Sequence, residues 1–400
     1  MPEPSSTRVW LDGRTLAEAV AALVRIPSVN TLQAGPRGDA HGPAGEQAIA
    51  TVLADRFRAC GADSVVLDEV RPGRPNVYAR FPGRTDRLVV IDVHTDTVTV
   101  ENMTDPPFDG RVEDGFVWGR GALDTKATMG VLLALLGVWH RDGLRPEPTL
   151  LVAGTVSEEA GGLLGATRFR EWIAEQELWI DQMLVAEPTE FRPVHGLKGL
   201  VLVEVTARGV SSHSARPDLG VNAIEAMAPV IAAFTAEQER LRTLVATTEL
   251  GNGTVSVTEI SGGSGSNVIP DRCTITVGRR LVPGEEPAEI VAQLTEIARA
   301  ACPVPCEVVP LLKAPDGKPG PTAFYQSPDS EFVQFLARAC GTEPTVAPFG
   351  TNALRYSGAA EEIVVFGPGS IEQAHLATER IAISDLVQLA EVLQAWLAPE

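Results

Sequence analysis

Residues 89–97 read VVIDVHTDT. The apolar run of Val89, Val90, Ile91 and Val93, broken only by Asp92, reads as a buried strand. It ends on His94, and Asp96 follows two residues later. A strand that delivers such groups at its carboxyl end points to an α/β sheet, which places its sites there. Outward from this stretch, four more potential metal ligands stand in comparable positions. They are Asp124 in GRGALDTK, Glu159 in TVSEEAGG, Glu187 in LVAEPTE and His375 in GPGSIEQAH. Glu158 directly precedes one ligand and has the chemistry of a general base.

Two imidazoles and three carboxylates suit a pair of divalent ions better than one. Mixed nitrogen and oxygen donors fit zinc, cobalt or manganese and disfavour an iron–sulfur cluster or copper(I). Five ligands serve two ions if one carboxylate bridges, and ions about 3.5–4 Å apart can together activate water. Any one of these residues alone is more often a surface carboxylate or a satisfied histidine. Their joint occurrence, mostly after apolar runs, carries the reading.

Strand and helix patterns alternate through the first half. Helices are expected at 16–24, 45–58, 125–140 and 163–175, and strands at 65–70, 76–81, 87–93, 149–156 and 182–186. That alternation predicts a sheet with helices on both faces. After Lys198 the pattern changes. A strand at 200–207, a helix at 222–244, strands at 254–260 and 273–281 and a helix at 287–301 predict a separate α+β module. A Pro/Gly-rich return linker at 314–321 precedes a helix at 327–340, a strand at 362–366 and a closing helix at 383–396. His375 lies beyond the module, yet the metal reading needs it beside His94 and Asp124. The expected domains are therefore 1–198 with 314–400, and an insert at 199–313.

A net charge of −19 argues against nucleic acid and anionic membranes as partners. Residues 1–11 are polar, and no apolar run approaches the roughly 18–20 residues of a membrane span, so a cytoplasmic setting is expected. Cys302 and Cys306 flank a Pro-Val-Pro segment, a spacing that suggests a redox or metal pair. Scattered, odd-numbered cysteines are better read as free thiols in a reducing compartment.

These motifs, in this order, resemble the co-catalytic zinc amidohydrolases that include acetylornithine deacetylase, succinyl-diaminopimelate desuccinylase, aminoacylase and glutamate carboxypeptidase. The resemblance spans nearly the whole chain. The late motif and HGLKG at 195–199 look most like the acetylornithine deacetylase branch. It implies a metallopeptidase-type catalytic domain with a mixed sheet and an inserted lid and dimerisation domain. Asp124 would bridge two divalent ions, zinc first and cobalt or manganese as alternatives. His94 and Glu187 would complete one position, and Glu159 and His375 the other. Glu158 would be the base, and Asp96 would orient the His94 imidazole. His213 would reach the partner subunit's site to polarise the scissile carbonyl. Asn267 and Arg280 match substrate-binding positions, with a guanidinium suited to a carboxylate. Arg279 points to the opposite strand face, so one of the two arginines is structural.

Four departures stand out. Ser157 and Asn352 occupy places where Asp is common, Ala127 replaces a frequent Gly, and Leu376-Ala377 follow the last ligand. None removes a ligand or the base. Asn352 is expected on the substrate wall. The activity implied is hydrolysis of an N-acyl amino acid by a homodimer. A carboxypeptidase or dipeptidase with the same site is the alternative. A carrier-linked substrate and a non-catalytic relative stand further back.

Overall fold

The computed structural model describes residues 11–313 and 317–397. Most of the polar opening stretch and the first part of the expected linker lie outside the described residues. The decisive run forms the strand Leu88–His94 inside a mixed sheet. The sheet order is Ser64–Arg71, Arg74–Phe81, Thr149–Thr155, Leu88–His94, Gln182–Ala186 and Glu362–Phe366, followed by the strand that begins at Val194. The inner four, from Thr149–Thr155 to Glu362–Phe366, are parallel. The hairpin of Ser64–Arg71 and Arg74–Phe81 adds to them antiparallel. Parallel strands are covered on both faces, which is why Thr149–Thr155 and Gln182–Ala186 are buried throughout and read as continuous apolar runs.

Alternate side chains divide between the faces. Val89, Ile91 and Val93 share a core with Leu132, Leu135, Leu136 and Trp139 of the helix Lys126–Arg141. Each fully buried leucine there contributes roughly 2 kcal/mol. The helices Gly13–Val24 and Ile383–Leu397 complete that layer. Gly130 permits the close crossing, since a Cβ there would stand 2.7 Å from Val20 Cγ2 and 2.9 Å from its Cα. On the other face Tyr78 packs against Phe169 and Trp172 of the helix Leu164–Glu175, with ring centroids 4.9 and 4.7 Å apart. The fold class expected from the sequence, a mixed sheet flanked by helices, is the one found.

The chain divides into two compact units. One runs to His195 and takes in Gln326–Thr345 and the segment from Thr351; the other is Gly196–Tyr325 with Val346–Gly350. The second exceeds the expected insert of 199–313 because Phe324–Tyr325 forms a strand that pairs with Leu197 and Gly196.

Within the second unit, the strands Thr254–Gly262, Arg272–Leu281, Gly199–Arg208 and Cys306–Pro310 form an antiparallel sheet in that order. The helices Ala223–Arg242 and Pro287–Ala301 pack on one face of it, over Val201, Val203, Val205, Ile275 and Val277. This is a βαββαβ module. Its fourth strand was not foreseen, because Cys306–Pro310 is short and bounded by prolines. Cys302 and Cys306 are free thiols, with Cys306 pushed up to about 11 by burial and by its neighbour Cys302. No helix of the described residues is long and apolar enough to cross a membrane.

Candidate active site

Three of the parallel strands deliver site residues just past their carboxyl ends, and a fourth leads into the last motif. Leu88–His94 ends on His94, Thr149–Thr155 leads to Glu158 and Glu159, and Gln182–Ala186 leads to Glu187. Glu362–Phe366 runs into the turn that carries His375. Asp124 is the exception to the strand-end expectation. It sits in a turn two residues before the helix Lys126–Arg141, where the positive end of the helix dipole favours a carboxylate.

The tertiary fold gathers these five into two groups that share Asp124. His94, Asp124 and Glu187 form one, and Asp124, Glu159 and His375 the other; within each, donor atoms lie within 4.8 Å of one another. His94 Nε2 is 2.9 Å from Asp124 Oδ1. His375 Nε2 is 3.3 Å from Asp124 Oδ2 and 3.0 Å from Glu159 Oε2. The two oxygens of Asp124 thus face the two histidines separately. Glu187 Oε1 is buried and has no hydrogen-bond partner. Nitrogen and carboxylate donors, a shared carboxylate and an orphaned buried oxygen fit a pair of divalent cations.

Without a cation, burial and mutual repulsion press on this cluster. Burial pushes the Glu158 carboxyl well above the usual carboxylate range, with Glu159 and Asp96 adding to it. Glu187 is pushed up for the same reasons. Burial and the Asp124 charge raise Glu159 to about 7. Hydrogen bonds to Asp124 and Glu159 hold His375 up at about 10.

Asp96 lies beside His94 and has further partners. His94 Nδ1 meets the main-chain carbonyl of Asp96 at 3.0 Å, while the carboxylate stands 3.8 Å away. The carboxylate instead accepts the N–H groups of Glu158, at 3.0 Å, and Glu159, at 3.1 Å. Asn30, which the sequence reading missed, donates to Asp96 Oδ2 at 2.7 Å and to the Ala160 carbonyl at 2.9 Å. Gly161 and Gly162, both at positive φ, complete this turn.

Asn352 corrects an expectation. It is buried, and its Nδ2 donates to Asp92 Oδ2 at 2.9 Å and Thr155 Oγ1 at 3.0 Å. Tyr356 donates to the same Asp92 oxygen at 2.9 Å. Asn352 therefore belongs to a polar network beneath the strand ends rather than to a substrate wall. Asp92 lies on the strand face opposite the aliphatic core, and Asn352 covers it. Lys126 is also internal; its Nζ donates to the Ile26 carbonyl at 2.7 Å, and burial pulls it down to about 7.

In the second unit, His213 and Asn267 come together. Ser212–His213 pairs with Val268–Ile269, and the Ser214 N–H donates to the Asn267 carbonyl at 2.9 Å. His213 is exposed on this ribbon. Arg280 is not near them along the sheet. It sits at the far end of Arg272–Leu281, and about 26 Å of extended chain separates it from Arg272. Arg279 is the structural arginine, with its side chain 3% exposed and paired to Glu285 at 2.5 Å. Arg280 lies on the opposite face of the strand.

Residues 195–305 match the peptidase dimerisation domain, and residues 76–188 match peptidase family M28. An acetylornithine deacetylase of Myxococcus xanthus is 34% identical, over 72% of this chain and 73% of its own. A succinyl-diaminopimelate desuccinylase of Cereibacter sphaeroides (strain ATCC 17025 / ATH 2.4.3) is 29% identical, over 94% of this chain and 96% of its own. A Bacillus subtilis structure described as a dinuclear metal binding peptidase from the M20 family shares the fold. Its TM-score is 0.64 at 16% identity, and the match covers 96% of this chain and 98% of that one. The chain belongs to the M20 peptidase family and carries its dimerisation domain. It is a metal-dependent amidohydrolase or peptidase.

Proposed function

We propose that the chain hydrolyses the amide bond of an N-acyl amino acid, in the manner of an acetylornithine deacetylase, and releases the free amino acid and a carboxylate. The observation that carries this is the pair of ligand groups meeting at Asp124 with Glu158 beside them. Divalent ions held there, zinc first and cobalt or manganese as alternatives, supply charge that acidifies water and polarises a carbonyl.

Glu158 takes the proton from the attacking water as the new C–O bond forms. It returns that proton to the amide nitrogen as the C–N bond breaks. Asp96 keeps Glu158 in place through the main-chain N–H it accepts. His213 donates to the carbonyl oxygen as negative charge develops on it. Arg280 pairs with the substrate carboxylate, and Asn267 adds a hydrogen bond.

The separation of Arg280 from the His213 ribbon supports a homodimer built through the second unit. A substrate the size of an acylated amino acid is far shorter than the strand between them. Both sets meet one substrate if they come from different protomers. The five free thiols suit a reducing, cytoplasmic setting.

A peptidase acting on dipeptides uses the same site, and the peptidase families matched here favour keeping that reading. A panel of N-acetyl-, N-succinyl- and N-formyl-amino acids and dipeptides, with zinc or cobalt supplied and a chelator control, separates the two. Metal-dependent turnover of one acyl class establishes the deacylase. Turnover of dipeptides alone replaces it with the peptidase.

A further inference from the structure

Three side chains outside the ligand set converge on its backbone. Glu379 is buried, and its Oε1 accepts the N–H groups of Leu123 at 3.1 Å and Asp124 at 3.2 Å. Its other oxygen takes the guanidinium of Arg120, also buried, at 2.5 Å. Arg120 Nη2 donates to Asn102 Oδ1 at 3.1 Å and to the His375 carbonyl at 3.5 Å. Asn102 Nδ2 donates to that same carbonyl at 3.0 Å. One connected set of hydrogen bonds thus grips Asp124 from one side and His375 from the other.

The two histidines are held differently. His94 has a side chain only 1% exposed, so packing fixes its ring. The His375 side chain is 50% exposed, and little packs around it. His375 also has φ of +64°, a left-handed conformation that a residue with a Cβ adopts only when its surroundings enforce it. The enforcing contacts within the clamp are those to its carbonyl. A buried ion pair is costly unless the groups on it are used, and here one Glu379 oxygen takes the Asp124 N–H and the other Arg120, while Arg120 donates to the His375 and Thr99 carbonyls.

We propose that Asn102, Arg120 and Glu379 are positioning residues that hold His375 against Asp124, and so set the ion affinity of the Asp124, Glu159 and His375 position. The proposal rests on the reading that the two groups bind ions. It predicts that loosening the clamp at its His375 end weakens one ion and spares the one at His94, Asp124 and Glu187.

Asn102 is exposed, so it can be changed without touching the core. Asn102→Ala removes the donor to His375. Asn102→Asp keeps the size and the acceptor for Arg120 but also lacks that donor. Metal-free protein is titrated with Co2+, followed by its visible absorption and by calorimetry, beside thermal melts. His375→Ala identifies which binding step belongs to that position. The expected result is a loss of about 10- to 100-fold in that step for both Asn102 variants, with the other step and the melting temperature near wild type. Wild-type affinity in both variants overturns the clamp and leaves the two-ion reading standing. Equal weakening of both steps with a lowered melting temperature also overturns it, as that marks general damage. A wild-type protein that takes up no Co2+ overturns the clamp and the two-ion reading together.

Discussion

The carboxylate of Asp96 accepts the main-chain N–H of Glu158 at 3.0 Å, so the end of one parallel strand dictates where the proposed base stands. Asp96→Asn replaces one of two acceptor oxygens with an NH2 group that faces N–H donors. Stability should fall by about 1–3 kcal/mol, as a buried donor is left unpaired. Turnover should fall by roughly 100-fold, while bound metal stays at wild-type stoichiometry. Thermal melts, kcat and metal content from elemental analysis check this together; unchanged kcat would remove Asp96 from the machinery.

Glu158→Gln keeps the shape of the side chain and loses its ability to take a proton. Turnover should drop by about 10²–10⁴-fold. Its ligand neighbours are untouched, so both ions should remain. Single-turnover kinetics on metal-replete protein tests this, and near-normal kcat would sink the assignment.

Metal-free protein should lose stability as pH rises. Glu159 keeps its proton to about 7, above the usual carboxylate value of about 4.3. His375 keeps its proton to about 10, above an unfolded value of about 6.5. Both raised values mean that the folded state binds more protons than the unfolded one. Stability therefore falls with pH, from Glu159 between about 4.3 and 7 and from His375 between about 6.5 and 10. Divalent ions need neutral imidazole, so their uptake releases protons and their affinity should rise over pH 6.5–9. Melting curves of chelated protein across this range provide the check, with His375→Ala expected to flatten the slope above pH 7.

The two neighbouring arginines should separate cleanly. Arg280→Ala should raise KM by about 10- to 100-fold with kcat less affected, since it removes a binding contact. Arg279→Ala removes a buried guanidinium from the partly exposed Glu285, which keeps the Val282 N–H, and should cost about 1–3 kcal/mol of stability. Steady-state kinetics and denaturant unfolding on each variant distinguish them; the reverse pattern would exchange their roles.

Much of the fold was legible because burial leaves a plain mark on parallel strands. The runs at 87–93, 149–156 and 182–186 correspond to Leu88–His94, Thr149–Thr155 and Gln182–Ala186. The helix expected at 125–140 is Lys126–Arg141. Some short strands were not legible. Cys306–Pro310, Arg380–Ala382 and Val194–Leu197 owe their strand form to partners elsewhere in the chain.

The site divides along the same line. The chemical types of His94, Asp124, Glu159, Glu187 and His375, and the strands that lead to His94, Glu159 and Glu187, could be read from residue order alone. Local sequence cannot state which main-chain groups a side chain will meet. That Asp96 holds the Glu158 turn, that Asn352 turns inward to Asp92, and that Glu379 reaches back to Asp124 were decided only by tertiary structure. Residue type and periodicity set what a segment buries and which atoms it can offer. Which atoms meet across more than 250 residues of chain depends on how the strands and helices pack, and no short stretch of sequence encodes that.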